Sequence, residues 1–192
     1  MEFFEYKNID QPQKGDLLIS EPFLPDQNFE RTVILLCEHN EEGSFGFVLN
    51  KQSILKVEEV IEEVEGYNQT LYVGGPVQQN TLHFIHNVPD LEAGSQKIKE
   101  DLYWGGDFNT LLNLINSNTI SEEEIRFFVG YSGWSNEQLQ QEINQNTWMI
   151  ARDVHASRIF HADPNTLWKN VLQSMGGRFK VYSNYPSDPN LN

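Results

Sequence analysis

The chain has 192 residues, 28 of them acidic and 13 basic, for a formal charge of −15; 39% are apolar, 12% aromatic, and one is cysteine. One cysteine excludes an internal disulfide, and the longest clean apolar run, Thr32 to Cys37, is far short of the roughly 20 residues of a membrane helix. Nucleic-acid phosphates would repel such a polyanion unless it carried a basic patch, and the nearest candidates, Lys97/Lys99 and Arg178/Lys180, are only pairs.

The length fits one domain over residues 1–192, long enough to bury roughly 70% of its unfolded surface. With no basic, apolar leader, the expected location is cytoplasmic. Residues 1–100 hold 18 acids against 7 bases, and residues 101–192 hold 10 against 6. Such a surface either keeps the molecule dispersed or docks a basic partner.

In chain order, Gly15 to Ser20 reads as a short strand, and the prolines of Glu21 to Asp26 force a loop. Thr32 to His39 is apolar on both faces and is predicted to be a central strand. Asn40 to Gly43 has turn chemistry, and Phe45 to Asn50 returns as the second arm of a hairpin. Val57, Val60, Ile61 and Val64 recur at helical spacing opposite Glu58, Glu59, Glu62 and Glu63, which predicts a helix over 54–65 capped by Ser53. Leu71 to Val73 and Leu82 to Val88 read as strands around Gly74-Gly75-Pro76, and Asp107 to Ile115 as a helix. Ile125 to Val129 is a strand entering a glycine corner at Gly130 to Gly133. A helix opens at Ser135 with Gln138 as capping-box partner. Thr147 to Asp153 is a strand, and Asp163-Pro164 precedes an amphipathic helix stopped by Gly176-Gly177. The tail, 183–192, is expected to fray. The early hairpin and short connections favour a largely antiparallel α+β domain over a doubly wound parallel sheet.

Cys37 is the one thiol. Strand alternation places it with Val33 and Leu35, as a packed core residue, but also with His39, which would assist a thiol-based enzyme or redox switch. His83 and His86 point to opposite faces of a strand, so they cannot share an ion, and no metal site is expected. Gly74 and Gly75 permit close backbone approach without a nucleotide-binding pattern. Gly130-Tyr131-Ser132 lacks the spacing of a nucleophile elbow. The stretch Tyr131, Trp134, Gln138 and Glu142 combines an aromatic corner with a helix start, which suits either packing or a small anionic ligand.

Several blocks in fixed order resemble the AlgH/YqgE family of bacterial proteins. They are Gly15 to Ile19 with Pro22; Phe29 with Arg31 to Val33; Cys37 to Asn40; Gly43 to Gly46 with Asn50; Gly74 to Pro76; Gly130-Tyr131 and Gly133-Trp134; Gln138-Leu139, Glu142, Asn146 and Trp148; and Leu167-Trp168. Gln52 and Phe45 depart from the family's usual residues, which touches the loop near Asn50. The resemblance implies an antiparallel sheet curled into a barrel-like core with flanking helices, in a bacterial cytoplasmic protein. It also implies an indirect link to transcriptional control of exopolysaccharide synthesis, with no established catalytic residue, cofactor or substrate. The resulting expectation is a non-enzymatic regulatory or interaction module with a protein partner or small ligand, no cofactor, and no direct contact with DNA or membrane. Cys37 and His39 are its catalytic alternatives. Asn50, Gly74, Gly75, Tyr131, Trp134, Gln138 and Glu142 are its candidate binding residues.

Overall fold

A computed structural model describes residues 10–188. Ten strands carry the fold: β1 (Leu17–Ser20), β2 (Val33–Asn40), β3 (Gly43–Val48), β4 (Gln52–Lys56), β5 (Thr70–Val73), β6 (Val77–His86), β7 (Gln96–Lys99), β8 (Leu102–Trp104), β9 (Ile125–Ser135) and β10 (Trp148–Ala151). Five helices accompany them: α1 (Phe108–Asn116), α2 (Gln138–Asn144), α3 (Ala156–His161), α4 (Leu167–Met175) and α5 (Gly177–Tyr182).

The strands run β10-β1-β2-β3-β9-β6-β8-β7, with β5 paired to β9 and β4 to β5. Every pairing is antiparallel except β5 with β9. The α+β, largely antiparallel expectation is met. The barrel-like core is not: β10 and β7 end the path without pairing to each other, so the sheet stays open.

β9 joins two halves of this sheet. Its first residues pair with β5 and β6, and its last four, Ser132 to Ser135, pair with β3. The change of partner occurs at Gly130, whose φ is 66°; a Cβ there would meet the carbonyl oxygens of Gly75 and Val77 at 2.7 and 2.8 Å. The predicted glycine corner is therefore a bend within one continuous strand. The core forms three clusters, the first of which spans both halves of the sheet. Leu35, Phe47, Phe128 and Trp168 share one apolar cluster, Phe127, Leu111 and Ile115 a second, and Ile34, Trp134 and Trp148 a third.

Several predicted elements shift. Residues 54–65 do not form a helix: β4 occupies Gln52–Lys56, a single 3-10 turn follows at Val57–Glu59, and Ser53 accepts a hydrogen bond from Leu55 N instead of capping. The repeated glutamates at i,i+4 repel each other along a helix, and β-branched residues favour it little. Val57, Ile61 and Val64 are still buried, while Val60 is 38% exposed. The helix expected from Ser135 begins at Gln138, after Glu137 in a left-handed conformation, although the Ser135 N–H does donate to Gln138 Oε1 at 3.0 Å. β7, β8, α3 and α5 were not legible. Gly176 ends α4, but Gly177 begins α5. Within the tail, Ser183 is buried, and Tyr185 stacks on Phe23 at 5.5 Å and accepts a hydrogen bond from Arg31 at its carbonyl oxygen. Residues 189–192 lie outside the described residues.

Candidate binding cleft

The β2–β3 hairpin decides the fate of the thiol. Pairing runs Leu36↔Gly46 and then Glu38↔Phe45, so Cys37 is the extra residue of a β-bulge. The bulge resets the alternation: Cys37 keeps the face of Val33 and Leu35, Glu38 takes that face opposite Phe45, and His39 turns to the other face opposite Ser44. Cys37 is fully buried, and that burial pushes its thiol well above the ordinary range. His39 Nδ1 lies 2.7 Å from Ser44 Oγ. Cys37 and His39, the catalytic alternative, therefore take opposite faces of the strand, where Cys37 Sγ contacts Leu35 O and His39 contacts Ser44.

Most of the other singled-out residues are satisfied within the fold. Asn50 Oδ1 accepts from Val33 N and its Nδ2 donates to Arg31 O, both at 2.9 Å, which fixes the loop before β2. Gly74 and Gly75 press against the bend of β9: a Cβ on Gly74 would lie 2.4 Å from Gly130 O, and one on Gly75 2.3 Å from Tyr131 O. These two segments do meet, but backbone to backbone, with Ser132 Oγ donating to Gly74 O across the junction. Trp134 and Trp148 both donate their indole N–H to Glu142 Oε2, at 2.9 and 2.7 Å, while Gln138 Nε2 donates to Glu142 Oε1 at 3.0 Å. The indoles meet edge to face at 6.0 Å. This cluster locks α2 onto β9 and β10.

Tyr131 is the exception. It lines a cleft of about 510 Å³ at the hairpin end of the sheet, together with Phe45, Trp104, His83, Gly133 and Trp134. Phe45 is the hub, 4.9 Å from Trp104 and 6.0 Å from Tyr131 between ring centroids, both nearly perpendicular to it. Phe47, stacked on Phe128 at 4.7 Å, forms the floor beneath Phe45. His83 sits over Phe47 and beside Tyr131 and lies 2.8 Å from Thr81 Oγ1. Burial lowers its pKa from the ordinary imidazole value, disfavouring the charged form. Glu38, Asn40 and Glu42 form the polar side of the cleft. Glu38 reaches one cation, Lys14, at 3.7 Å, in a pair whose side chains are 28% and 40% exposed. Trp104 Nε1 is enclosed and has no hydrogen-bond partner, a donor whose desolvation is uncompensated.

The AlgH-like family model (DUF179) matches residues 17–180. This chain belongs to that family. A UPF0301 protein of Cytophaga hutchinsonii is 49% identical over 180 residues, covering 93% of this chain and 98% of that protein. A UPF0301 protein of Chlorobium luteolum is 40% identical over 190 residues, covering 99% and 98%. Among solved structures, protein DIP2367 of Corynebacterium diphtheriae superposes with a TM-score of 0.73 at 26% identity, covering 96% of this chain and 95% of that one. The AlgH protein of Pseudomonas aeruginosa gives 0.69 at 24% identity, covering 97% and 98%, and so shares the fold.

Of the family blocks read from the sequence, Trp134, Gln138, Glu142 and Trp148 form the lock and Gly74, Gly75 and Gly130 the junction, while parts of Cys37 to Asn40 and Gly43 to Gly46 line the cleft. Sequence reasoning missed Trp104, Glu38 and Glu42 as cleft residues. Trp104 sits at the end of the three-residue strand β8, too short for a periodic signal. Glu38 faces the cleft only because of the bulge. Among the described residues no helix is long and apolar enough to cross a membrane.

Proposed function

We propose that this protein is a non-enzymatic interaction module, acting in the cytoplasm on a protein partner through the aromatic cleft at the end of the β2–β3 hairpin. One observation carries the reading: Phe45, Tyr131 and Trp104 converge around about 510 Å³ with two carboxylates, while the one thiol is the buried extra residue of a bulge that turns its candidate base to the other face of the strand. A concave, mostly aromatic site with a few polar groups is a recognition surface, and the rings supply large contact area at low conformational cost. The regulatory role implied by the family resemblance would then be indirect, with the partner touching DNA, since a chain of charge −15 is repelled by phosphates. No cofactor is needed for such a role.

The test compares the native chain with Tyr131→Ala and Trp104→Ala in affinity capture from extract. The expected result is a partner retained by the native chain and lost by both variants, with melting temperatures high enough to show that both are folded. Equal capture by all three would sink the reading.

A further inference from the structure

We propose that the cleft recognises a guanidinium group, the side chain of an arginine in a basic segment of the partner. This rests on the reading of the cleft as a docking site and names what docks. Three observations point to that chemistry.

The first is charge. Glu38 and Glu42 border the cleft, on a molecule of net charge −15. An apolar guest would cover the half-buried Glu38 without compensating it, and an anionic guest would be repelled. Lys14, the cation paired with Glu38, is at the surface, where a docking cation displaces it at little cost.

The second is the arrangement of rings. Trp104 and Tyr131 stand at 86° and 77° to Phe45. Rings set at right angles cannot bury all their faces on one another, and an exposed face attracts a cation through its quadrupole. A planar guanidinium stacks on such a face while its N–H fork meets a carboxylate; an ammonium does only the second well. The molecule already uses this contact internally, with Arg31 over Trp168 at 4.7 Å and Arg126 over Tyr72 at 4.5 Å.

The third is size: the cleft, at about 510 Å³, exceeds the volume of one guanidinium and leaves room for the adjoining backbone.

The experiment titrates the full chain, labelled with ¹⁵N at its indoles, with acetyl-Ala-Arg-Ala-amide, its lysine counterpart and its citrulline counterpart, which keeps the shape and loses the charge. The arginine peptide is expected to shift the Trp104 indole resonance saturably and leave that of Trp168 in place. The citrulline peptide should bind at least tenfold more weakly, and the lysine peptide more weakly than the arginine one. A Glu38→Gln/Glu42→Gln double variant should lose at least tenfold in affinity for the arginine peptide while its Trp148 resonance reports an intact lock. Two results overturn the guanidinium assignment but leave the cleft as a docking site: equal binding of the citrulline peptide, or undiminished binding by the double variant. Lysine binding as tight as arginine overturns the choice of guanidinium over ammonium. If no peptide moves Trp104, the assignment falls, and partner capture by the cleft variants decides separately whether the cleft docks anything.

Discussion

Two regions of this molecule are built from the same materials and do different things. The Trp134–Glu142–Trp148 lock and the Phe45–Trp104–Tyr131 cleft each combine aromatic rings with carboxylates, and they meet at Gly133 and Trp134. In the lock both indole N–H groups and an amide end on one carboxylate, so its donors are already partnered within the fold. In the cleft Glu38 and Glu42 border open space, and Glu38 is paired with the surface cation Lys14. Residue type therefore does not distinguish a structural cluster from a binding site; the state of its hydrogen bonds does.

The sharpest way to break this comparison is Trp134→Ala. It removes a side chain that is 7% exposed from the third core cluster and should cost roughly 3–5 kcal/mol in denaturant unfolding; a cost under about 1 kcal/mol would mean that the lock is not structural. Glu142→Ala should come next, because it strands two buried indole donors. A penalty of about 1–3 kcal/mol for each unsatisfied group sets its scale, and Glu142→Gln should recover part of the loss by keeping one oxygen acceptor.

A smaller effect separates the buried thiol from a reactive one. Burial raises the Cys37 pKa, so above the unfolded value of about 8.5 the unfolded chain releases a proton that the folded chain keeps. Stability contributed by this group is full below that pH and falls as pH rises toward the folded pKa. Cys37→Ala should remove that alkaline loss, and folded protein should resist thiol alkylation at pH 8.5; rapid alkylation under native conditions would refute the burial. His83 runs the opposite way. Its lowered pKa means the unfolded imidazole takes up a proton first as pH falls below about 6.5, so stability should decline on the acid side, and His83→Gln should flatten that decline. The smallest effect on stability belongs to the cleft rim: Glu42→Gln, at an exposed turn, should leave the melting temperature unchanged, in contrast to any change at Glu142.

Much of the fold was readable. Strands with strong alternation or unbroken apolar runs, such as β2 and β3, appear where periodicity placed them, as do the amphipathic helices α1 and α4. The helix over 54–65 failed because its apolar spacing fits a buried turn as well as a helix, and like-charged neighbours tip the balance. Short elements such as β8 and α5 carry too few residues to show a period. At the candidate site, Tyr131 lies in the cleft, while Trp134, Gln138 and Glu142 point into the lock. Spacing along one chain reports which side chains are neighbours on an element; it does not report which element packs against which.

The sequence by itself determined the acidic surface, the antiparallel α+β character and the family, because charge, alternation and block order are properties of the linear chain. Only the tertiary structure decided that the sheet stays open, that a one-residue bulge parts Cys37 from His39, and that β3, β8 and β9 bring Phe45, Trp104 and Tyr131 together. Each of those outcomes depends on strand register, which is set by pairing between distant segments.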